Sequence, residues 1–140
     1  MYYEINERRL SMGKQITRST GVLRREPDTV TAVVNLVNVD DSNHDVTVEV
    51  WDWSSYSNPV MLPVLIGNNE IVDFPYFLAP ENLAVMYADI TGVLFYEIVI
   101  SHPDEENIIV NCFGRSPNLT AQEGNTVLDN QLVQLDLDCD

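Results

Sequence analysis

Short β-type segments recur along this sequence and constrain its fold more than any other feature. Runs rich in Val, Ile, Tyr and Phe appear about every ten to fifteen residues, separated by Asn, Asp, Gly and Pro. Between Asp45 and Trp53, Val46, Val48 and Val50 alternate with polar or aromatic residues, which is the period of a strand with one buried face. The pattern predicts an all-β protein, an eight-stranded antiparallel sandwich or jelly roll.

The first predicted core strand differs from the others because it is apolar on both faces. Val33 and Val37 lie at one parity of this segment, and Val34 and Leu36 at the other, as expected of a strand covered on both sides. The prolines around residues 59–63 place the following segment at a sheet edge, because proline cannot donate to the ladder. The eight predicted strands are residues 29–39, 45–53, 60–66, 70–77, 83–90, 93–101, 108–113 and 125–137.

Charge is distributed unevenly between the start of the chain and the rest. The first 25 residues hold six of the seven cations and two acids, a net of +4, whereas the remaining residues carry one cation and twenty acids, a net of −19. This contrast predicts a connector arm over residues 1–27 that docks on the acidic sandwich of another copy, residues 28–140, with a solvated tail as the alternative. We expect removal of residues 1–25 to leave a folded monomer. The predicted subunit-contact cations are Arg8, Arg9, Lys14, Arg18, Arg24 and Arg25.

The sequence holds no recognisable catalytic or cofactor motif. The two histidines, His44 and His102, fall in segments that we predict to be turns, and no Gly-rich phosphate loop or His-Glu metalloprotease pair is present. Acidic clusters such as residues 104–106 offer oxygen ligands for calcium but lack the spacing of an EF-hand. We therefore predict a protein that is not an enzyme, has no cofactor or metal, and binds no nucleic acid, since an acidic body repels phosphate.

Aromatic and cysteine side chains supply the remaining candidate contacts. Trp51, Trp53 and Tyr56 end one face of a predicted strand, where they would either stack on sugar rings or pack against protein. Cys112 shares its parity with apolar residues and is predicted to be buried, whereas Cys139, next to the end of the sequence, could reach a neighbour. Both cysteines are candidate cross-links between subunits, with Cys139 the more accessible of the two.

Several turn and strand motifs resemble small β-sandwich proteins of spore-forming bacteria, including subunits of endospore appendages. The motifs are Thr20–Arg25, Leu78–Asn82, Asn111–Arg115 and Gly124–Leu128. The resemblance implies an N-terminal connector that inserts between neighbouring subunits of a fibre. The connectors of this family carry cysteines, and residues 1–27 contain none, so charge and strand addition remain as the links.

Together these features predict a structural subunit of a surface fibre or spore appendage that polymerises head-to-tail. The expected partners are other copies of the chain and other spore-surface proteins. The absence of an apolar leader and of a long apolar run indicates a spore-surface location reached without a signal peptide, and no membrane insertion. A glycan-binding module and a phage or virus decoration protein are the alternatives.

Overall fold

The β-type segments form strands that assemble into two antiparallel sheets. The structure is a computed structural model, and it describes residues 15–103 and 107–135. These residues form a short 3₁₀ helix, Asp129–Gln131, and thirteen strands: β1 Gln15–Ser19, β2 Leu23–Arg24, β3 Thr31–Asn38, β4 His44–Asp52, β5 Val60–Leu62, β6 Leu65–Ile66, β7 Glu70–Ile71, β8 Tyr76–Leu78, β9 Leu83–Asp89, β10 Phe95–Pro103, β11 Ile108–Arg115, β12 Ala121–Val127 and β13 Val133–Leu135.

The two sheets pack face to face, which confirms the prediction of an all-β antiparallel sandwich. Sheet A has the order β13-β1-β10-β4-β5, with β2 also paired to β10 and β8 to β4. Sheet B has the order β12-β11-β3-β9-β6-β7. The chain crosses between the sheets from β3 to β4, from β9 to β10 and from β10 to β11, so these long strands alternate between the two layers.

The core lies between the sheets and is built from alternate residues of the long strands. Val46, Val48 and Val50 of β4 are buried, as their alternation predicts, and face Val34 and Leu36 of β3 within one apolar cluster. Each fully buried Val or Leu side chain contributes roughly 1.5–3 kcal/mol relative to an exposed one. Burial at every second position also fixes the register of strand pairing, because a slip of one residue would move the apolar side chains of a strand to its solvent-facing side.

The number and ends of the strands differ from the prediction of eight. Residues 60–78 form four strands of two or three residues each, since Pro63 and Pro75 interrupt the backbone ladder there. β5 does lie at the end of sheet A, as the prolines predict. The expected final strand over residues 125–137 is replaced by β12, the 3₁₀ helix and β13, because Gln131 Oε1 accepts the Leu128 N–H at 2.8 Å and turns the chain.

His102 is a clear correction to the prediction of a turn. It lies in β10, paired with Ile16 of β1, and its side chain is only 1% exposed. The strand extends this far because β1 supplies backbone partners from Ser19 to Gln15 along its edge. His44 likewise begins β4, where its Nε2 lies 2.8 Å from Asp40 Oδ2.

The second half of the predicted arm is part of the sandwich. β1 pairs with residues 99–103 of β10 and β2 with residues 95–96 of the same strand, so the arm follows β10 along its length. Gly21 lies between β1 and β2, and its φ of 74° allows the backbone to turn there before the chain pairs with β10 again. Within the described residues, sheet A therefore includes residues 15–19 and 23–24 of the predicted arm, and removal of residues 1–25 would uncover the edge of β10.

Candidate functional site: interaction surfaces of the sandwich

Arg18 joins the two sheets near one end of the sandwich. Arg18 pairs with buried Ile100 of β10, so its side chain lies on the inward side of β1. Its Nε donates to Nε2 of buried His102 at 3.1 Å. Its Nη2 donates to Asp129 Oδ1 at 2.9 Å, and the same oxygen accepts the Val110 N–H of β11 at 2.8 Å. Arg18, which we predicted to contact a neighbouring subunit, thus links β1 to sheet B of its own chain.

The electrostatics of this Arg18 network follow from partial burial and hydrogen bonding. Partial burial alone would raise the pKa of Asp129, but the bonds from Arg18 and from the Val110 N–H outweigh it and hold the pKa below its ordinary value. The carboxylate is therefore ionised at neutral pH, and its charge is matched by the guanidinium.

The other two described arm cations also contact their own chain. Arg25 donates from Nε to Val93 O at 2.6 Å and from Nη1 to Thr29 O at 2.8 Å. Arg24 is exposed, and its guanidinium carbon lies 6.0 Å from the centre of the Phe95 ring. The remaining predicted contact cations, Arg8, Arg9 and Lys14, lie outside the described residues.

The two cysteines differ in what the structure says about cross-linking. Cys112 is buried in the core, which confirms its predicted environment. Burial is the main cause that raises the pKa of its thiol to about 12, so the thiol is neither ionised nor within reach of another subunit while the sandwich is folded. Cys139 lies outside the described residues, and its role as a cross-link stays a prediction.

The predicted aromatic residues meet on the outer side of sheet A, in a group that we call the aromatic face: Trp51, Trp53, Tyr56 and Phe95. Trp53 Nε1 donates to Glu97 Oε1 at 2.9 Å, and Trp51 Nε1 donates to Glu49 Oε1 at 3.1 Å. Tyr56 is 74% exposed and meets Phe95 edge to face, with ring centres 5.8 Å apart. Both tryptophans are half-buried. The three residues that the sequence analysis grouped therefore lie on one surface. Phe95 also belongs to this surface, and the sequence analysis did not include it.

The outer side of sheet B carries a second surface, which the sequence reasoning missed. β9, β3 and β11 are paired in register, so alternate residues form rows across the three strands. We call this surface the apolar face; it consists of Val33, Val37, Leu83, Val85, Tyr87, Ile109 and Phe113, with Asn35 and Asn111 in its middle row.

A signal for the apolar face was present in the sequence. β3 is apolar at both parities, and the prediction was a strand covered on both sides. Sheet A covers the inner side, and Tyr87 and Arg115 shelter Val33 on the outer side, where the guanidinium of Arg115 lies 6.0 Å from the Tyr87 ring. Over the rest of the face, the described residues supply no further layer.

Metal-binding clusters and membrane-spanning helices are absent from the part of the chain that the structure describes. No group of three or more His, Cys, Asp or Glu side chains in residues 15–103 and 107–135 is placed to hold a metal ion. Within the same residues, no helix has the length and apolar character needed to span a membrane. The expectations that the protein is not an enzyme and takes no cofactor stay predictions.

Comparison of the chain with protein-family models, with curated proteins and with solved structures finds no match.

Proposed function

We propose that this protein is a self-assembling structural subunit of a surface fibre or spore appendage. In this proposal, the N-terminal segment of one subunit completes sheet A of the next. The observation that supports it most directly is the place of β1, which lies in a slot between β10 and β13 and belongs to the part of the chain that holds most of its cations.

The contacts of β1 can be made equally well by another copy. They consist of backbone pairing with β10 and β13, together with the bonds of Arg18 to His102 and Asp129. If the segment of residues 15–25 leaves its own slot and enters that of a neighbour, every one of these contacts is reproduced between two chains. Exchange that proceeds head-to-tail does not close on itself, and so it builds a filament.

The charges of the chain favour such a filament less strongly than the sequence suggested. Arg18, Arg24 and Arg25 contact the sandwich itself, so residues 1–14 bring three cations and two acids, a net of +1, to a body of four cations and twenty acids, a net of −16. The contrast still directs the start of one chain towards the acidic surface of another. A spore-surface location and the jelly-roll form of the sandwich remain parts of the proposal that rest on the sequence.

A disulfide trap tests whether β1 is exchanged. Thr17 and Ser101 lie directly opposite each other on β1 and β10, with their hydroxyl oxygens 3.0 Å apart, so the variant Thr17→Cys/Ser101→Cys has suitable spacing for a bond. In a Cys139→Ser background, assembled and oxidised protein should give a ladder of linked chains on non-reducing gels, with fibres visible by negative-stain electron microscopy. Fibres whose disulfides stay within single chains would rule out exchange, and particles that never assemble would rule out the fibre itself.

The matched control places the bond inside the body of the sandwich. Thr47 of β4 lies opposite Ser101 on the other side of β10. The variant Thr47→Cys/Ser101→Cys should therefore give a bond within one chain in every state of assembly. A ladder from this control would show that the gel reports collisions between chains rather than strand exchange.

The aromatic face supports a second candidate function, glycan binding. Tyr56 is exposed beside Phe95, and the carboxylates of Glu49 and Glu97 lie next to the two indole rings, an arrangement in which rings stack on sugars and acids accept their hydroxyls. Titration with polysaccharides should shift the tryptophan emission if the face binds them, and Tyr56→Ala should weaken that binding. An unchanged spectrum at saturating polysaccharide would exclude this function.

A further inference from the structure

The apolar face is unusual for a chain with a net charge of −15. None of its residues is charged, yet Leu83 is 60% exposed and Ile109 is 38% exposed at its edge. Contiguous apolar surface of this kind on a soluble domain marks a place where another surface binds. A partner must itself be apolar and free of acids, because an acidic partner would bury charge without compensation.

The rows of the face show which surface meets these conditions. Leu83 of β9 and Ile109 of β11 lie on opposite sides of Val37, and Tyr87 and Phe113 lie on opposite sides of Val33. The row next to the apolar face is charged, with Asp89 and Arg115 on opposite sides of Thr31. The flanks of the first and third rows are therefore both apolar, those of the middle row are Val85 and Asn111, and those of the last row have opposite charge.

A two-fold axis parallel to β3 turns this pattern into a complementary pair of surfaces. Such an axis places β9 of one copy over β11 of the other, so that Leu83 meets Ile109, Tyr87 meets Phe113 and Asp89 meets Arg115, each contact occurring twice. Only in the middle row does an apolar side chain, Val85, meet a polar one, Asn111. An axis perpendicular to β3 would instead lay Asp89 over Leu83 and bury a carboxylate against an apolar side chain. We propose that the apolar face is an interface between two copies of this chain, related by a two-fold axis parallel to β3.

Two polar side chains in these rows each hold one buried atom that is unsatisfied within their own chain. Asn35 Oδ1 and Arg115 Nε are two of the three buried side-chain atoms in the described residues that lack a hydrogen-bond partner. Asn35 lies on the central strand, where the proposed axis passes and where the same residue of the second copy would face it.

The interface goes beyond the proposed function, because it uses sheet B whereas strand exchange uses sheet A. Its test is the mass of the full-length protein in solution, measured by light scattering and sedimentation over a range of concentrations. The wild-type protein should form a dimer, and Leu83→Glu should raise the dimer dissociation constant by about a hundred-fold or more, since two unpaired charges are buried per dimer. Leu94→Glu, at a residue that is 54% exposed and precedes β10, is the matched control and should dimerise normally.

Exchange of the end-row charges tests the direction of the axis. Asp89→Arg and Arg115→Asp should each weaken the dimer, whereas an equal mixture of the two variants should form a mixed dimer, because every contact then joins Arg to Asp. Recovery in the mixture also shows that both variants are folded. The proposal is overturned by a wild-type protein that is monomeric at every concentration, by a dimer that Leu83→Glu leaves intact, or by a mixture that fails to associate.

Discussion

Replacement of Arg18 by Met gives the most direct measure of how firmly the N-terminal strand is held by its own chain. Methionine keeps the length and the apolar stem of the side chain but removes the donors to His102 and Asp129. A hydrogen bond to a charged group contributes about 1.5–3 kcal/mol, and the 35% exposure of the Asp129 side chain places this one near the lower limit. The bond to His102 adds about 1 kcal/mol.

The expected loss in the free energy of unfolding is therefore about 2–3 kcal/mol. Urea titration followed by tryptophan emission should show the midpoint falling by about 1 M, since chains of this size lose roughly 1–3 kcal/mol per molar urea. Arg24→Met is the control, because its exposed guanidinium lies over Phe95 at 6.0 Å and contributes only about 0.5 kcal/mol. In a Leu83→Glu background, which removes the proposed dimer, both midpoints should be independent of protein concentration if β1 is docked within its own chain.

The loss caused by Arg18→Met should also depend on pH. The pKa of Asp129 is lowered in the folded state, so the carboxylate contributes stability above its unfolded pKa of about 3.9, and this contribution disappears as the pH falls through the folded value. The difference between wild type and variant should therefore be largest near pH 7 and smallest at a pH below the lowered pKa of folded Asp129. Equal losses for Arg18→Met and Arg24→Met at pH 7 would refute the role of the Arg18 network.

Three further predictions concern the core and the turns. Leu36→Ala, at a fully buried residue, should lower the free energy of unfolding by about 3 kcal/mol in urea titration. In a Cys139→Ser variant, Cys112 should react with an aromatic disulfide reagent only as fast as the protein unfolds, because its thiol is buried and its pKa is about 12; rapid labelling of native protein would contradict this. Gly114→Ala should lower the thermal midpoint, with a loss of about 1–3 kcal/mol, because its Cβ would lie 2.6 Å from Thr29 Cγ2, whereas Gly92→Ala meets no atom within 4 Å and should lose only about 1 kcal/mol through its positive φ.

The alternation of apolar residues was sufficient to predict the sandwich but not the pairing of its strands. Val46, Val48 and Val50 show their buried face in the sequence, because burial repeats with the period of the backbone. The place of β1 beside β10 could not be found in this way, since its inward residues include Arg18 and its partners lie far along the chain. Polar residues satisfied by distant partners give no periodic signal, and His102 was assigned to a turn for the same reason.

The interaction surfaces were predictable in part. Trp51, Trp53 and Tyr56 were correctly grouped because they are close in sequence and share a parity or a turn. The apolar face depends on three strands whose order only the structure gives, although the two-sided apolar character of β3 indicated that something should cover it.

The position of β1 has a consequence for the synthesis of the protein. A ribosome produces β1 before either of its neighbours, since β10 begins at Phe95 and β13 at Val133. During the interval the nascent chain has made β3, β4 and β9, but the first strand has no partner within its own chain. On a messenger translated by several ribosomes, a completed β10 on a more advanced chain is the nearest available edge for that strand. In the proposed strand exchange, the timing of translation would therefore help to decide which copy receives β1, before the equilibrium between free and assembled subunits is established.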